Sequence, residues 1–356
     1  GWHWWPADAA IASTAYKEGR RACNYGSSCD LGCMTGAKAS TDITYWPPAL
    51  RAGARLETRA RVRELVVGVD GRVQSALYYR DGRLHEQKAR LIIIACNGVG
   101  TPRLLLNSRS HRFPDGLANG SGLVGKNLMF HPAAFVTGYF EDDLESNHGP
   151  VSNSIYSHHF YETDESRGFL RGYQFQVTHD SGPLWAARGG TKGEPLPWGS
   201  GHHEVFKQRF NHSINVAVLV EDLPEEHNQV TIDPLLSDSD GIPAPKVTYR
   251  VGDNSNKILD HGIRSATEVL EAAGAREVTP NRVPKFGGWH LMGTARTGVD
   301  PEHSVVDSWG RAHEVPNLFL VDGSVLVTSG AVNVTSTIQA IALRTADYIK
   351  RNRRYL

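Results

Sequence analysis

Two polar side chains, His290 and Asn333, stand in glycine-rich, small-residue surroundings within residues 287–349. A neutral histidine can take a proton near neutral pH. Asparagine cannot, but it can donate a hydrogen bond to developing negative charge. Between them runs Asn317-Leu318-Phe319-Leu320-Val321-Asp322-Gly323, a short apolar run that ends on an acid and a glycine. After Asn333, the residues Ile338, Ile341, Ala342, Ala346 and Ile349 recur at helical spacing. The order reads as buried strand, glycine-containing turn and helix start. A helix start has free N–H groups and a partial positive charge, which suit an anionic or electron-rich ligand.

Other groupings carry less. A single histidine among 16 is more often a core residue bonded to a backbone carbonyl, so the functional reading of His290 rests on the motif around it. Cys23, Cys29 and Cys33 crowd into ACNYGSSCDLGC, a spacing that invites a metal or iron–sulfur reading. No second Cys or His pair follows at ligand spacing, so a structural thiol cluster or a single disulfide reads better, and no metal is expected. Cys96 reads as a small core residue. The pairs His158-His159 and His202-His203 would point to opposite faces of a strand, which favours a surface or substrate-loop role over chelation. Trp289 could stack on a sugar face or fill the core. Glu221, Asp222 and Asp233 have no fixed separation and are not read as a glycosidase pair. The sequons at Asn119, Asn211 and Asn333 are read as chance matches, with Asn333 as a helix cap.

Elements that would position the corner can be traced along the chain. Residues 1–36 are irregular. Arg61 to Val67 and Val73 to Tyr79 read as strands, and Asp-Gly pairs at 70–71 and 81–82 signal hairpins. A three-stranded antiparallel meander is therefore expected. It flows into Leu91-Ile92-Ile93-Ile94-Ala95, apolar throughout, as a strand buried on both faces should be. Asn97-Gly98-Val99-Gly100 then turns the chain, and Thr101-Pro102 opens a helix with Thr as N-cap. This is the arrangement of an α/β nucleotide-binding domain. The G-x-G-x-x-G strand-turn-helix of a pyrophosphate site is not read anywhere, so either no dinucleotide binds or that element lies upstream of Gly1.

Residues 131–250 carry short alternating runs such as Tyr173 to Val177 and Asn215 to Val220, and read as an antiparallel sheet with long loops. Residues 180–204, with Gly189-Gly190 and Pro195-Leu196-Pro197, read as a loop and a lid candidate. Asp253-Asn254-Ser255 cap a helix whose buried face is Ile258, Leu259, Ile263, Ala266, Val269 and Leu270, and Gly274 ends it.

Bulk properties exclude some classes. With 356 residues the chain has room for two domains. Lys+Arg 38 balances Asp+Glu 38, so no nucleic-acid partner is expected. No apolar run reaches the ~18 residues of a membrane span. The chain opens on Gly1-Trp2-His3-Trp4-Trp5-Pro6 without a leader, reads as the middle of a protein, and is expected in the cytoplasm.

HLMGTARTG from His290, then SVVDSWGRAHEVPNLFLVDGSVLVTSGAVNVTSTIQAIA from Ser304, resemble the C-terminal signature of the glucose–methanol–choline (GMC) flavoprotein oxidoreductases. GAKAS at 36–40, ACNGVGTPRLLLNS at 95–108 and GLVGKNLMFHP at 122–132 match internal segments in the right order. Within the family, the chain looks nearest the bacterial branch of pyranose and glycoside oxidases and sugar dehydrogenases. The resemblance implies an α/β (α+β) fold: part of an FAD-binding Rossmann-like domain at 37–130 and 305–356, and an antiparallel-sheet substrate domain at 131–304. It implies FAD as cofactor and oxidation of a secondary alcohol of a sugar or glycoside, with hydride passing to flavin N5. His290 would be the base and Asn333 its hydrogen-bond partner. Val62, Asp322, Gly323, Asn333, Val334 and Thr335 would lie at the cofactor.

Further implied partners are a small-molecule sugar or glycoside, an electron acceptor (oxygen, a quinone or another carrier), and either a homo-oligomer or a missing N-terminal part. Three positions depart from the family: Thr297 where Met is usual, Val334 where Pro is usual, and Gly26 where relatives often have Cys. The competing expectation is a flavin-free fragment, subunit or binding module without activity of its own.

Overall fold

Alternation and hairpin chemistry shape most of the chain. The computed structural model describes residues 1–354 except 18, 28, 30, 151–152, 180–181, 188–195 and 284–286. It divides into two compact units, neither contiguous in sequence. One comprises residues 57–131, 222–253 and 288–356, and the other residues 1–56, 132–221 and 254–287. Residues 222–253 and 288–304 thus pack with the meander's unit.

In the meander's unit, Arg61–Val67, Val73–Arg80 and Arg83–Lys88 form a three-stranded antiparallel sheet, as the two Asp-Gly turns require. Ile92–Ile94 pairs in parallel with Leu318–Leu320. Asn317, almost fully buried, joins the two sheets: its Oδ1 accepts from Val73 N at 3.0 Å, and its Nδ2 donates to Val73 O at 2.7 Å and Arg90 O at 2.9 Å. Leu65, Val73, Ile94, Leu105, Leu318 and Leu320 lie in one core beneath them. The hairpin Gln229–Ser237 with Pro243–Thr248 belongs to the same unit.

Four expectations change here. Ile92–Ile94 is not buried on both faces, because Ile93 is 49% exposed; its only strand partner among the described residues is Leu318–Leu320, on one edge. The following helix runs Asn97–Asn107, with Cys96 at the N-cap and Pro102 inside it. Asn97 Oδ1 accepts from Val99 N and Gly100 N, so the helix starts four residues before Thr101. Cys96 is exposed rather than a core residue. The C-terminal helix Thr335–Asn352 buries Thr345, while Ala346 faces solvent.

The other unit is built on a six-stranded antiparallel sheet. Its order is Trp5–Pro6, Asn153–Ser157, Tyr173–Thr178, Ser213–Val220, Ala133–Tyr139 and Glu277–Arg282. Trp2, Trp4 and Phe175 stack on one another at centroid distances of 5.5–6.0 Å, so the N-terminal segment is pinned by aromatic area despite its irregular backbone. Helix Asp253–Ala272 buries Ile258, Leu259, Ala266 and Leu270 as its pattern requires, and Gly274 at φ +92 ends it.

The lid stretch is partly helical, at Pro183–Ala187 and Gly201–Arg209, while Gly189, Gly190 and Pro195 lie outside the described residues. His202 and His203 therefore sit on a helix and not on a strand. Cys23, Cys29, Cys33 and Cys96 are all free thiols, so the disulfide alternative is not realised. No described helix is long and apolar enough to cross a membrane.

Candidate active site

Residues 290–294 run between three close neighbours in the meander's unit. A Cβ placed on Gly98 would lie 2.6 Å from Leu291 C, and one on Gly323 would lie 2.5 Å from Leu291 O. Only glycine allows the helix start at 97 and the turn at 322–324 to approach this segment so closely. On its third side, Met129 and Met292 pair backbone to backbone, N to O at 3.0 Å in both directions. Thr294 Oγ1 donates to Gly98 O at 2.7 Å.

Asp322 locks the turn. Its Oδ1 accepts from Ser324 N at 2.8 Å, and its Oδ2 accepts from Cys96 N at 2.8 Å and Thr101 Oγ1 at 2.5 Å. Both carboxylate oxygens thus tie the end of one strand and its helix to the end of the other. Val334 packs against Met129 and Met292 and occupies the N-cap of the C-terminal helix, the position expected for Asn333. Its side chain makes no capping bond. Asn333 and Thr335 flank it and are exposed, at the first turn of this 18-residue helix, whose leading N–H groups have no intrahelical acceptor.

His290 has φ +62, a left-handed conformation uncommon outside glycine and one that marks functional positions when the surroundings enforce it. Its ring is half-buried, and Nδ1 lies 2.6 Å from Nδ1 of His131. His131 is fully buried; its Nε2 lies 2.7 Å from Gly330 O and 3.1 Å from Ser329 O. Burial, aided by His290, pushes the His131 pKa down to about 4, against the two carbonyls that favour its charged form. Burial also lowers the pKa of His290.

Behind this pair, Ser329 Oγ donates to Asp222 O at 2.9 Å and accepts from Asp222 N at 2.8 Å. Tyr249 OH donates to Asp222 Oδ2 at 2.7 Å, and burial pushes the Tyr249 pKa up. Asp222 is therefore a buried structural carboxylate.

The structure brings Gly323 against Leu291 and Val334 against Met292, the residues that follow His290, while Asp322 holds the turn at Gly323, and Asn333 and Thr335 adjoin Val334. Val62 stands apart on the meander, paired with Tyr78 and exposed. The sequence reading missed His131, Ser329 and Tyr249. His131 lies in the GLVGKNLMFHP stretch, where its place before Pro132 was the one available signal. The spacing Gly120-Ser121-Gly122-Leu123-Val124-Gly125 spells G-x-G-x-x-G but forms turns, without the strand and helix of a pyrophosphate site.

These features define an α/β and antiparallel-sheet protein with a histidine pair, one member fully buried and one half-buried, in the unit that also holds the start of the C-terminal helix. Two family profiles described as GMC oxidoreductase match residues 7–133 and 224–342, together more than half of the chain. The chain belongs to the GMC oxidoreductase family. It is 42% identical over 355 residues to a 2-methyl-1,2-propanediol dehydrogenase of Mycolicibacterium austroafricanum, covering 99% of this chain and 64% of that protein. It is 31% identical to the fructose dehydrogenase large subunit of Gluconobacter japonicus, covering 97% of this chain and 62% of that one.

Among solved structures, formate oxidase of Aspergillus oryzae aligns with a TM-score of 0.59 at 18% identity, covering 83% of this chain and 60% of that one. Pyridoxine 4-oxidase from Mesorbium loti gives a TM-score of 0.58 at 17% identity, with 88% and 60% covered. These structures share the fold. The chain spans less than two thirds of the length of these curated relatives.

Proposed function

We propose that this chain carries the catalytic part of an FAD-dependent oxidoreductase that converts a CH–OH group to a carbonyl. The observation that carries the reading is the half-buried His290, neutral near pH 7 because burial lowers its pKa, within a segment matched to the GMC family. The residues present fit a flavin: the helix start at Val334–Thr335 carries the N–H groups and partial positive charge that suit an electron-rich ring edge. Asp322, Gly323, Asn333, Val334, Thr335 and Val62 form the proposed cofactor set. Asp322 acts in it by holding the 322–324 turn, since its carboxylate oxygens are engaged by protein donors.

Bound FAD supplies the hydride acceptor. His290 takes the hydroxyl proton, and Asn333 donates its amide hydrogen to the oxygen as negative charge develops. We assign substrate recognition to the six-stranded sheet, and a secondary hydroxyl of a sugar or glycoside as the group oxidised. Similarity to the fructose dehydrogenase subunit supports that choice. The relative named for 2-methyl-1,2-propanediol favours a second reading, a small branched diol. The electron acceptor of the whole protein would be oxygen, a quinone or another carrier.

In the full-length protein, His290→Ala is expected to retain flavin absorbance but to slow its bleaching by substrate about 10²- to 10⁴-fold. An unchanged rate would remove His290 from the mechanism. Stopped-flow runs with sugars and with small diols separate the two substrate readings.

A further inference from the structure

A histidine that acts as a base must present a lone pair to the substrate, and its two ring nitrogens cannot both do so when one carries hydrogen. We propose that His131 is a positioning residue that holds His290 in the tautomer with hydrogen on Nδ1, which leaves the Nε2 lone pair to take the substrate's proton. The proposal rests on the reading of His290 as the base.

Hydrogen-bond polarity carries the argument. His131 Nε2 faces two carbonyl oxygens, at 2.7 Å and 3.1 Å, and a carbonyl oxygen only accepts. Nε2 of His131 therefore carries hydrogen. With its pKa at about 4 the ring is neutral near pH 7, so its Nδ1 carries none and can only accept. The Nδ1–Nδ1 separation of 2.6 Å needs a hydrogen between the two atoms, and that hydrogen must belong to His290. A neutral His290 then has its lone pair on Nε2. No described residue bonds that atom.

The arrangement is anchored from behind. Ser329, whose carbonyl faces His131, is bonded through its hydroxyl to both the N–H and the carbonyl of Asp222. Tyr249 holds the Asp222 carboxylate. His131 is fully buried, so its ring cannot exchange these partners for water.

The same contact serves the reaction itself. When the substrate O–H bond breaks and a proton forms a bond to His290 Nε2, the ring becomes a cation with hydrogen on both nitrogens. Its Nδ1–H to His131 then becomes a charge-assisted bond, which is shorter and stronger than a neutral one. A bound flavin would supply the acceptor for the hydride that leaves the carbinol carbon, and the proton then passes from Nε2 to solvent. His131 thus steadies the protonated base without itself changing charge.

The test uses nitrogen NMR of histidine-labelled, full-length flavoprotein near neutral pH, with His290 assigned by comparison with His290→Ala. A protonated-type resonance for His290 Nδ1 and a lone-pair-type resonance for Nε2 are expected; the reverse pattern overturns the proposal. His131→Leu should mix the two tautomers and slow flavin bleaching by at least about 10-fold. His131→Gln can donate to the 329–330 carbonyls and accept from His290, so it should keep the pattern and most of the rate. Slow bleaching in His131→Leu with the wild-type nitrogen pattern would reduce His131 to a packing residue. Unchanged bleaching in His290→Ala would defeat the base assignment instead, while the nitrogen pattern still decides the tautomer.

Discussion

At the scale of single residues, the His131–His290 pair sets the pH behaviour. The pKa of His290 lies below its ordinary 6.5 because burial disfavours the charged ring. A base must be unprotonated, so the rate of flavin bleaching should fall on the acid side with a midpoint below 6.5, measured by stopped flow across pH. His131 makes a matching statement about stability. Its folded pKa of about 4 is lower than the 6.5 of the unfolded chain, so between these values the unfolded state binds more protons. Its contribution is fully present above 6.5 and is lost as pH falls toward 4. The size is about 3 kcal/mol at most, from the shift and the free energy per pKa unit. Urea titrations of wild type and His131→Gln at several pH values should show the variant losing less stability between pH 6.5 and 4. Equal slopes in the two proteins would mean that His131 is not held neutral.

At the scale of elements, the corner depends on close backbone approach more than on side-chain bulk. Gly98→Ala would push a methyl group into Leu291 C at 2.6 Å, a backbone atom that cannot swing away. Overpacking of this kind costs about 1–3 kcal/mol. Gly201→Ala is the control: it sits at a helix start, and its nearest neighbour would be Pro197 Cγ at 3.7 Å. Thermal melts should show Gly98→Ala clearly lowered and Gly201→Ala unchanged or slightly raised. Asp322→Ala should also destabilise by about 2–4 kcal/mol, because two backbone N–H groups and the Thr101 hydroxyl lose their acceptor together.

The same elements show what sequence could reveal. Asp-Gly turns placed the meander, and alternation placed Tyr173–Thr178 and Ser213–Val220 of the six-stranded sheet, because these signals are local; Trp5–Pro6 and Glu277–Arg282, short or without a clean pattern, were not legible. Helical spacing and Gly274 likewise placed Asp253–Ala272. The start at Asn97 was missed because an asparagine at φ +66, bonding two amides ahead, looks like a turn in sequence. The family motif pointed to His290 and Asp322 as candidates. His131 stayed hidden because its role depends on a contact with His290, 159 residues away in sequence.

At the scale of the whole molecule, neither unit is a continuous stretch, so cutting at any one boundary removes residues from both. The cofactor argument has a similar shape. The corner at 322–335 supplies a helix start and a locked turn, but no described strand, glycine turn and helix of the 356-residue chain forms a pyrophosphate cradle. Gly120, Gly122 and Gly125 have the spacing without the elements. Ile93, in the two-stranded parallel sheet, is 49% exposed, so one face of that sheet is open at this position.

The 356-residue chain expressed by itself should therefore fold its two compact units yet lose FAD on gel filtration, with no absorbance in the flavin band. A longer protein carrying a G-x-G-x-x-G strand-turn-helix ahead of Gly1 should retain it. If the short chain keeps flavin at one equivalent and bleaches with substrate, the cofactor site is complete within these residues. If the longer protein also fails to hold flavin, the chain acts as a flavin-free binding module.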